Sequence, residues 1–131
     1  MRLSLKAGER LFINGAVLRA ERRVTIELLN DATFLLEAHV LQLEEATTPL
    51  RQLYFIVQSM LIDPSSAATM RASALSLIAP MQAAHDDEAV IAGLGKVGEL
   101  VADQRPFDAL RVLRGLFHLE VKGSEKVRKV A

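Results

Sequence analysis

Apolar and polar residues alternate along the first part of the chain and then recur every three to four residues along the rest. Arg10-Leu11-Phe12-Ile13, Asn14-Gly15 and Ala16-Val17-Leu18-Arg19 form a hairpin signal, because Asn-Gly accepts the positive φ angles of a two-residue type I′ turn. Val24 to Leu28 alternates as a half-buried strand does. Asn30-Asp31 reads as a turn, and Thr33 to Leu36 and His39 to Leu43 read as shorter strands. The period becomes helical after Glu45. Thr48-Pro49 supplies an N-cap and a first-turn proline, followed by Leu50, Leu53, Tyr54, Val57, Met60 and Leu61 on one face. Asp63-Pro64 repeats the device for a second helix, which Pro80 is expected to end or kink. A third helix spans about Asp86 to Ala102, although Gly93, Gly95 and Gly98 each weaken it by roughly 1 kcal/mol unless close packing compensates. A fourth runs from Pro106 to about Lys122.

The expected class is therefore α+β: a small antiparallel β-sheet over residues 1–46, a four-helix unit over 47–122, and a flexible basic tail over 123–131. Half of the 131 residues are apolar, enough for a real core. No apolar run approaches the ~18 residues of a membrane span, and none resembles a signal peptide, so a cytoplasmic protein with no membrane attachment is expected.

Sixteen basic residues balance sixteen acidic ones, which argues against indiscriminate polyanion binding but leaves local patches open. Cysteine is absent, removing disulfides, thiol nucleophiles and thiolate metal sites. No phosphate-binding loop is present, and His39, His85 and His118 share no ligand spacing, so neither a catalytic residue nor a metal or other cofactor is expected. Glu44-Glu45 and Asp86-Asp87-Glu88 stand at helix starts, where negative charge meets the positive end of the helix dipole.

Charge within the sheet region is uneven. Residues 1–30 hold six basic and three acidic residues, whereas residues 31–48 hold four acidic and none basic. A two-residue turn at Asn14-Gly15 sets Arg10 opposite Arg19, with Phe12 and Val17 on the same face. Continuing past Gly8, where a bulge can intervene, brings Lys6 towards Arg23, with Arg22 beside it. A positive face made of Lys6, Arg10, Phe12, Arg19, Arg22 and Arg23 suits a phosphate backbone and an unstacked base. Its alternative is a solvated strand face whose cations find Glu9, Glu21 or Glu27. A second basic surface, Arg111, Arg114, His118 and Lys122, forms one stripe on the fourth helix and reads equally as a solvated helical face. Phe55 and Ile62 lie seven residues apart, opposite the main apolar face of the first helix. They form a ridge that either a homodimer interface or the sheet of the same chain would cover.

The block Glu44-Glu45-Ala46-Thr47-Thr48-Pro49-Leu50-Arg51-Gln52-Leu53-Tyr54-Phe55, followed by Gln58, Met60, Asp63 and Pro64, resembles the signature of the FlbT family, flagellar regulators of alphaproteobacteria. Leu3-Ser4-Leu5-Lys6-Ala7-Gly8-Glu9-Arg10 and Ile13 to Val17 resemble the family's opening, where proline is common in place of Ala7. The resemblance covers about residues 1–121. It implies a post-transcriptional regulator acting on the 5′ untranslated region of flagellin mRNA, as repressor or activator, and coupled to the small flagellar protein FlaF. Three readings follow: an RNA-binding regulator, a module acting indirectly through FlaF, flagellin or the translation machinery, and a structural flagellar subunit.

Overall fold

The computed structural model describes residues 1–30 and 32–130, with side chains described through residue 120. Five strands come first: β1 (Arg2–Leu5), β2 (Arg10–Ile13), β3 (Ala16–Arg19), β4 (Val24–Glu27) and β5 (Phe34–Leu36). Four helices follow: α1 (Pro49–Ile62), α2 (Ala67–Ala84), α3 (Glu88–Ala102) and α4 (Pro106–Val130). The architecture is the expected α+β. The strands, however, divide into two antiparallel sheets, β1-β4 and β3-β2-β5.

The hairpin has the register read from sequence, with Arg10 opposite Arg19, Phe12 opposite Val17 and Ile13 opposite Ala16. Asn14 and Gly15 take φ of 49° and 81°, as a type I′ turn requires. At the other end Gly8 donates to the Ala20 carbonyl (2.7 Å) while Ala20 donates to Glu9 (3.0 Å), so Gly8 and Glu9 together face Ala20. That is a G1 bulge, with Gly8 at φ 82°. The bulge turns the chain from the three-stranded sheet to β1, where Leu5 pairs with Val24.

Strand β2 is covered on both faces. Leu11 joins Leu3, Leu5 and Phe34 in a small core between the sheets. Phe12 and Leu35, which pair with each other, point the opposite way into the large helical core around Leu50, Leu53, Val57, Leu94, Leu110 and Leu113. Phe107 packs against both cores and stacks on Phe34 at 4.9 Å between ring centroids.

The strand expected over His39–Leu43 does not form. Residues Glu37–His39 and Leu43–Glu45 make short 3₁₀ turns around an extended link. Within that link the Gln58 carboxamide accepts the Leu41 N–H (2.9 Å) and donates to the Leu41 carbonyl (2.6 Å). A buried side chain thus supplies both hydrogen bonds that a neighbouring strand would have given. Pro80 does not end α2, which continues to Ala84 with Ile78 and Met81 buried on either side of the exposed ring. The glycines of α3 are places of close approach. A Cβ on Gly93 would stand 2.7 Å from Leu116 Cδ1, and one on Gly98 3.4 Å from Ile78. The tail expected from residue 123 carries side chains outside the described residues.

One polar group closes the helical unit. Glu120 on α4 is buried, yet its carboxylate accepts from Thr48 Oγ1, from the Leu50 N–H (2.7 Å) and from Arg51 Nη1 (3.1 Å). Arg51 also lies 4.4 Å over the Phe117 ring. The last helix therefore caps the first, 70 residues earlier in sequence.

Two further polar contacts fix the link between sheet and helices. Arg10 donates from its backbone N–H (2.9 Å) and its Nε (3.1 Å) to Glu37. Tyr54 donates its hydroxyl to the His39 carbonyl (2.5 Å) and accepts from Arg114 Nη1 (3.0 Å).

Glu120→Ala leaves Arg51 and the α1 N-terminus without their acceptor, and should cost about 3 kcal/mol in urea unfolding followed by circular dichroism. Gly115, whose added Cβ would meet nothing within 4 Å, provides a control. Gly115→Ala should stabilise by about 1 kcal/mol, whereas Gly93→Ala should destabilise because Leu116 must move. Acid should weaken the fold by two routes. The bonds from Arg10 hold the Glu37 carboxyl below its usual 4.5, so the stability they give is complete above that pH and is lost as pH falls through the folded value. Burial, aided by the Arg114 charge, holds His39 below 6.5. Below 6.5 the unfolded chain takes up that proton first, and stability declines. The urea midpoint should fall between about pH 7 and pH 5, and His39→Gln should remove most of that fall.

Candidate nucleic-acid interface

The two sheets bring four of the six cations of residues 1–30 to one end, opposite the Asn14-Gly15 tip, while Arg2 stands at the far end of β1 across from Glu27. The Leu5–Val24 pair sets Lys6 beside Arg23, and the hydrogen bond from Gly8 to Ala20 ties the Lys6–Glu9 turn to the turn carrying Arg22 and Arg23. Arg19 enters from β3, one residue before Ala20. Lys6, Arg19, Arg22 and Arg23 are all exposed, and none forms a salt bridge among the described residues. Of the carboxylates in these turns, Glu9 accepts from the Lys6 backbone N–H at 3.2 Å, and Glu21, exposed beside Arg22, forms no salt bridge among the described residues. Three solvated cations on two adjoining turns, with Arg19 at the end of β3, form a positive end that can meet successive phosphates while keeping its counterions until contact.

The other two residues of that expected face are placed differently. Arg10 is engaged by Glu37, because the β2–β5 register continues from Leu11–Leu36 to bring them opposite each other. Phe12 is half-buried and packs on the helical core. Alternation along β2 put both residues on one face, but the layer covering that face could not be read from the pattern.

The second basic surface is split as well. Arg114 is engaged by the Tyr54 hydroxyl, whose ionisation is pushed above its usual 10 by burial, while Arg111 and His118 remain exposed. Lys122 lies outside the described residues. Ile62 packs against the helical core, whereas Phe55 stays half-buried at its margin. His85 contacts the Met81 carbonyl through Nδ1 (2.7 Å), and no cluster of three potential metal ligands exists among the described residues.

One concave region escaped the sequence reading. A groove of about 660 Å³ runs between the hairpin tip, the start of α2 and the α3–α4 turn, lined by Asn14, Thr33, Met60, Leu61, Arg71 and Gln104. It adjoins a second, of about 780 Å³, through Asn14, Thr33, Gln104 and Pro106. Gln104 has φ 58° and sits where a helix-ending turn usually carries glycine. A positive-φ glutamine leaves no mark that sequence pattern can detect.

The polar residues of the block from Glu44 to Pro64 hold the fold together. Thr48 and Arg51 meet Glu120, Tyr54 ties His39 to Arg114, and Gln58 holds Leu41. Asp63 accepts from Ser65 at the turn into α2.

The family model described as flagellar protein FlbT matches residues 1–123. A protein of Rhizobium leguminosarum bv. trifolii, named probable flagellum biosynthesis repressor protein FlbT, is 52% identical over 120 residues, covering 92% of this chain and 80% of that one. Proteins of the same name from Brucella ovis (51% over 129 residues, 97% of this chain and 85% of that one) and Rhizobium johnstonii (53% over 124 residues, 92% and 80%) are similar to a like degree. No solved structure matches. No helix among the described residues is long and apolar enough to cross a membrane. By the match over nearly its whole length, the chain belongs to the FlbT family, a family of regulators of flagellum synthesis and not of enzymes.

Proposed function

We propose that this protein controls flagellin production by binding the 5′ untranslated region of flagellin mRNA with its cationic sheet end. The observation that carries the reading is the group of four exposed cations without salt-bridge partners among the described residues: Lys6, Arg22 and Arg23 on two hydrogen-bonded turns, and Arg19 at the adjoining end of β3. Most other arginines of the described residues are committed: Arg10, Arg51 and Arg105 are ion-paired, Arg71 closes the end of α3 through the Val101 and Ala102 carbonyls, and Arg114 serves Tyr54. Arg2 and Arg111 are exposed as well, but each stands apart from the group of four. A chain of zero net charge still attracts RNA where cations cluster locally. The relatives' name, flagellum biosynthesis repressor, fits control at the message.

A second reading rests on the groove. Its apolar walls, Met60, Leu61, Pro64 and Pro106, and its amide-bearing Asn14 and Gln104 suit an extended peptide, since a carboxamide can pair with both groups of a peptide bond. In that case control passes through a protein such as FlaF or flagellin.

An electrophoretic shift assay with a flagellin 5′ leader at two salt concentrations separates the two. Replacing Lys6, Arg19, Arg22 and Arg23 together by Ala should weaken binding at least tenfold and reduce the slope of log affinity against log salt by about 3. Arg111→Ala should leave both unchanged. Wild-type affinity in the folded quadruple variant would sink the proposal, and leader binding that appears only when FlaF is added would move it to the groove.

A further inference from the structure

Strand β3 is an unprotected edge. It pairs with β2 on one side and with nothing on the other. All four of its residues are exposed, with Val17 at 56% and Leu18 at 48%. These two point to opposite faces of the sheet, so neither the helical layer nor the β1–β4 layer covers this strand. Natural edges are normally blunted by short length, charged side chains, proline, a bulge or inward charge. β3 is short and ends in Arg19, but Ala16-Val17-Leu18 carries no charge and no proline, and the bulge at Gly8 lies across the sheet.

The register fixes which backbone groups are free. In a two-residue hairpin the pair flanking the turn, Ile13 and Ala16, exchanges hydrogen bonds, and alternate pairs follow suit. Phe12–Val17 is then a pair that exchanges none. The Val17 N–H and carbonyl consequently point to the open edge, as do those of Arg19. An antiparallel strand added there can be centred on either residue. Centring on Arg19 would oppose two guanidinium groups if the added strand were a second β3. Centring on Val17 places Leu18 against the partner's Ala16, and Arg19 against the partner's Gly15, so apolar residues meet and the cations separate. The edge is self-complementary in that one register.

We infer that two copies of this chain join through their β3 strands, antiparallel, with a two-fold axis at Val17, giving a six-stranded sheet β5-β2-β3-β3-β2-β5. A four-residue edge is small beside the ~800 Å² per partner of a stable interface, so the dimer forms at tens of micromolar and dissociates on dilution. The pairing does not depend on RNA binding. It sets the two Arg19 residues roughly 14 Å apart along the strand direction, one flanking each side of the joint.

Cysteine is absent from the chain, so a single introduced thiol reports on this register alone. Val17→Cys should give a disulfide-linked dimer under oxidised glutathione, because opposed residues of a hydrogen-bonded antiparallel pair stand ~5.5 Å apart between Cα atoms. Leu18→Cys and Phe55→Cys should stay monomeric on the same non-reducing gel. By light scattering, the wild-type mass should rise from 14.4 kDa towards roughly twice that value with concentration. Val17→Pro removes an outward N–H without touching the β2–β3 ladder, and should hold the protein at monomer mass with unchanged circular dichroism. A wild-type monomer at hundreds of micromolar, or a Val17→Cys chain that stays uncrosslinked, overturns the inference. So does a dimer that survives Val17→Pro, or one that Phe55→Asp abolishes while the chain remains folded.

Discussion

Strand β2 has to serve two cores at once, and most of the architecture follows from that. Leu11 is needed between the sheets and Phe12 among the helices, so neither layer can be removed without exposing one of them. Because β2 is sandwiched, its hairpin partner β3 extends beyond both layers, and the bulge at Gly8 must swing β1 round to cover the Leu11 side. The positive end is a by-product of the same geometry. Where the chain passes from one sheet to the other, two turns lie side by side in solvent, and Lys6, Arg22 and Arg23 sit in those turns with Arg19 at the adjoining strand end.

Polar contacts, few and specific, then lock the helical unit to the sheet. Gln58, Tyr54 and Glu120 are all largely buried, and each finds partners distant in sequence. A buried group of this kind adds little net stability when satisfied but costs heavily when its partner is lost. Its main effect is to fix which helix lies where. Apolar packing among Leu50, Val57, Val97 and Leu113 supplies the larger driving force but is tolerant of sliding. The central block by which the sequence resembles its family, from Glu44 to Pro64, therefore describes the joints of the fold, and the exposed cations of the sheet lie outside that block.

What could be read from the sequence divides along the same line. The hairpin register, the change of period near Thr48-Pro49 and the cap at Thr48 are local, set by neighbours a few residues away, and they were legible, whereas Asp63, read as a second cap, gives no side-chain capping bond and α2 begins only at Ala67. The fate of His39–Leu43 was not, because an alternating segment looks the same whether its partner is a strand or the side chain of Gln58. The face occupied by Phe12 was equally hidden, since alternation separates two faces without saying which is wet. For the candidate site, counting outward from the turn was enough to place Lys6 near Arg23 and Arg19 opposite Arg10. The commitment of Arg10 to Glu37, 27 residues on, required the β2–β5 pairing.

The cap on α1 also sets an order in time. Leu50 leaves the ribosome 70 residues before Glu120, an interval of about 4–14 s at ~5–20 residues per second. Throughout that interval α1 has its apolar stripe but lacks both its acceptor and the packing of α4. Short helices without tertiary partners are marginal in water. The nascent chain therefore carries an incomplete helical unit until Glu120 has been made and can reach the start of α1.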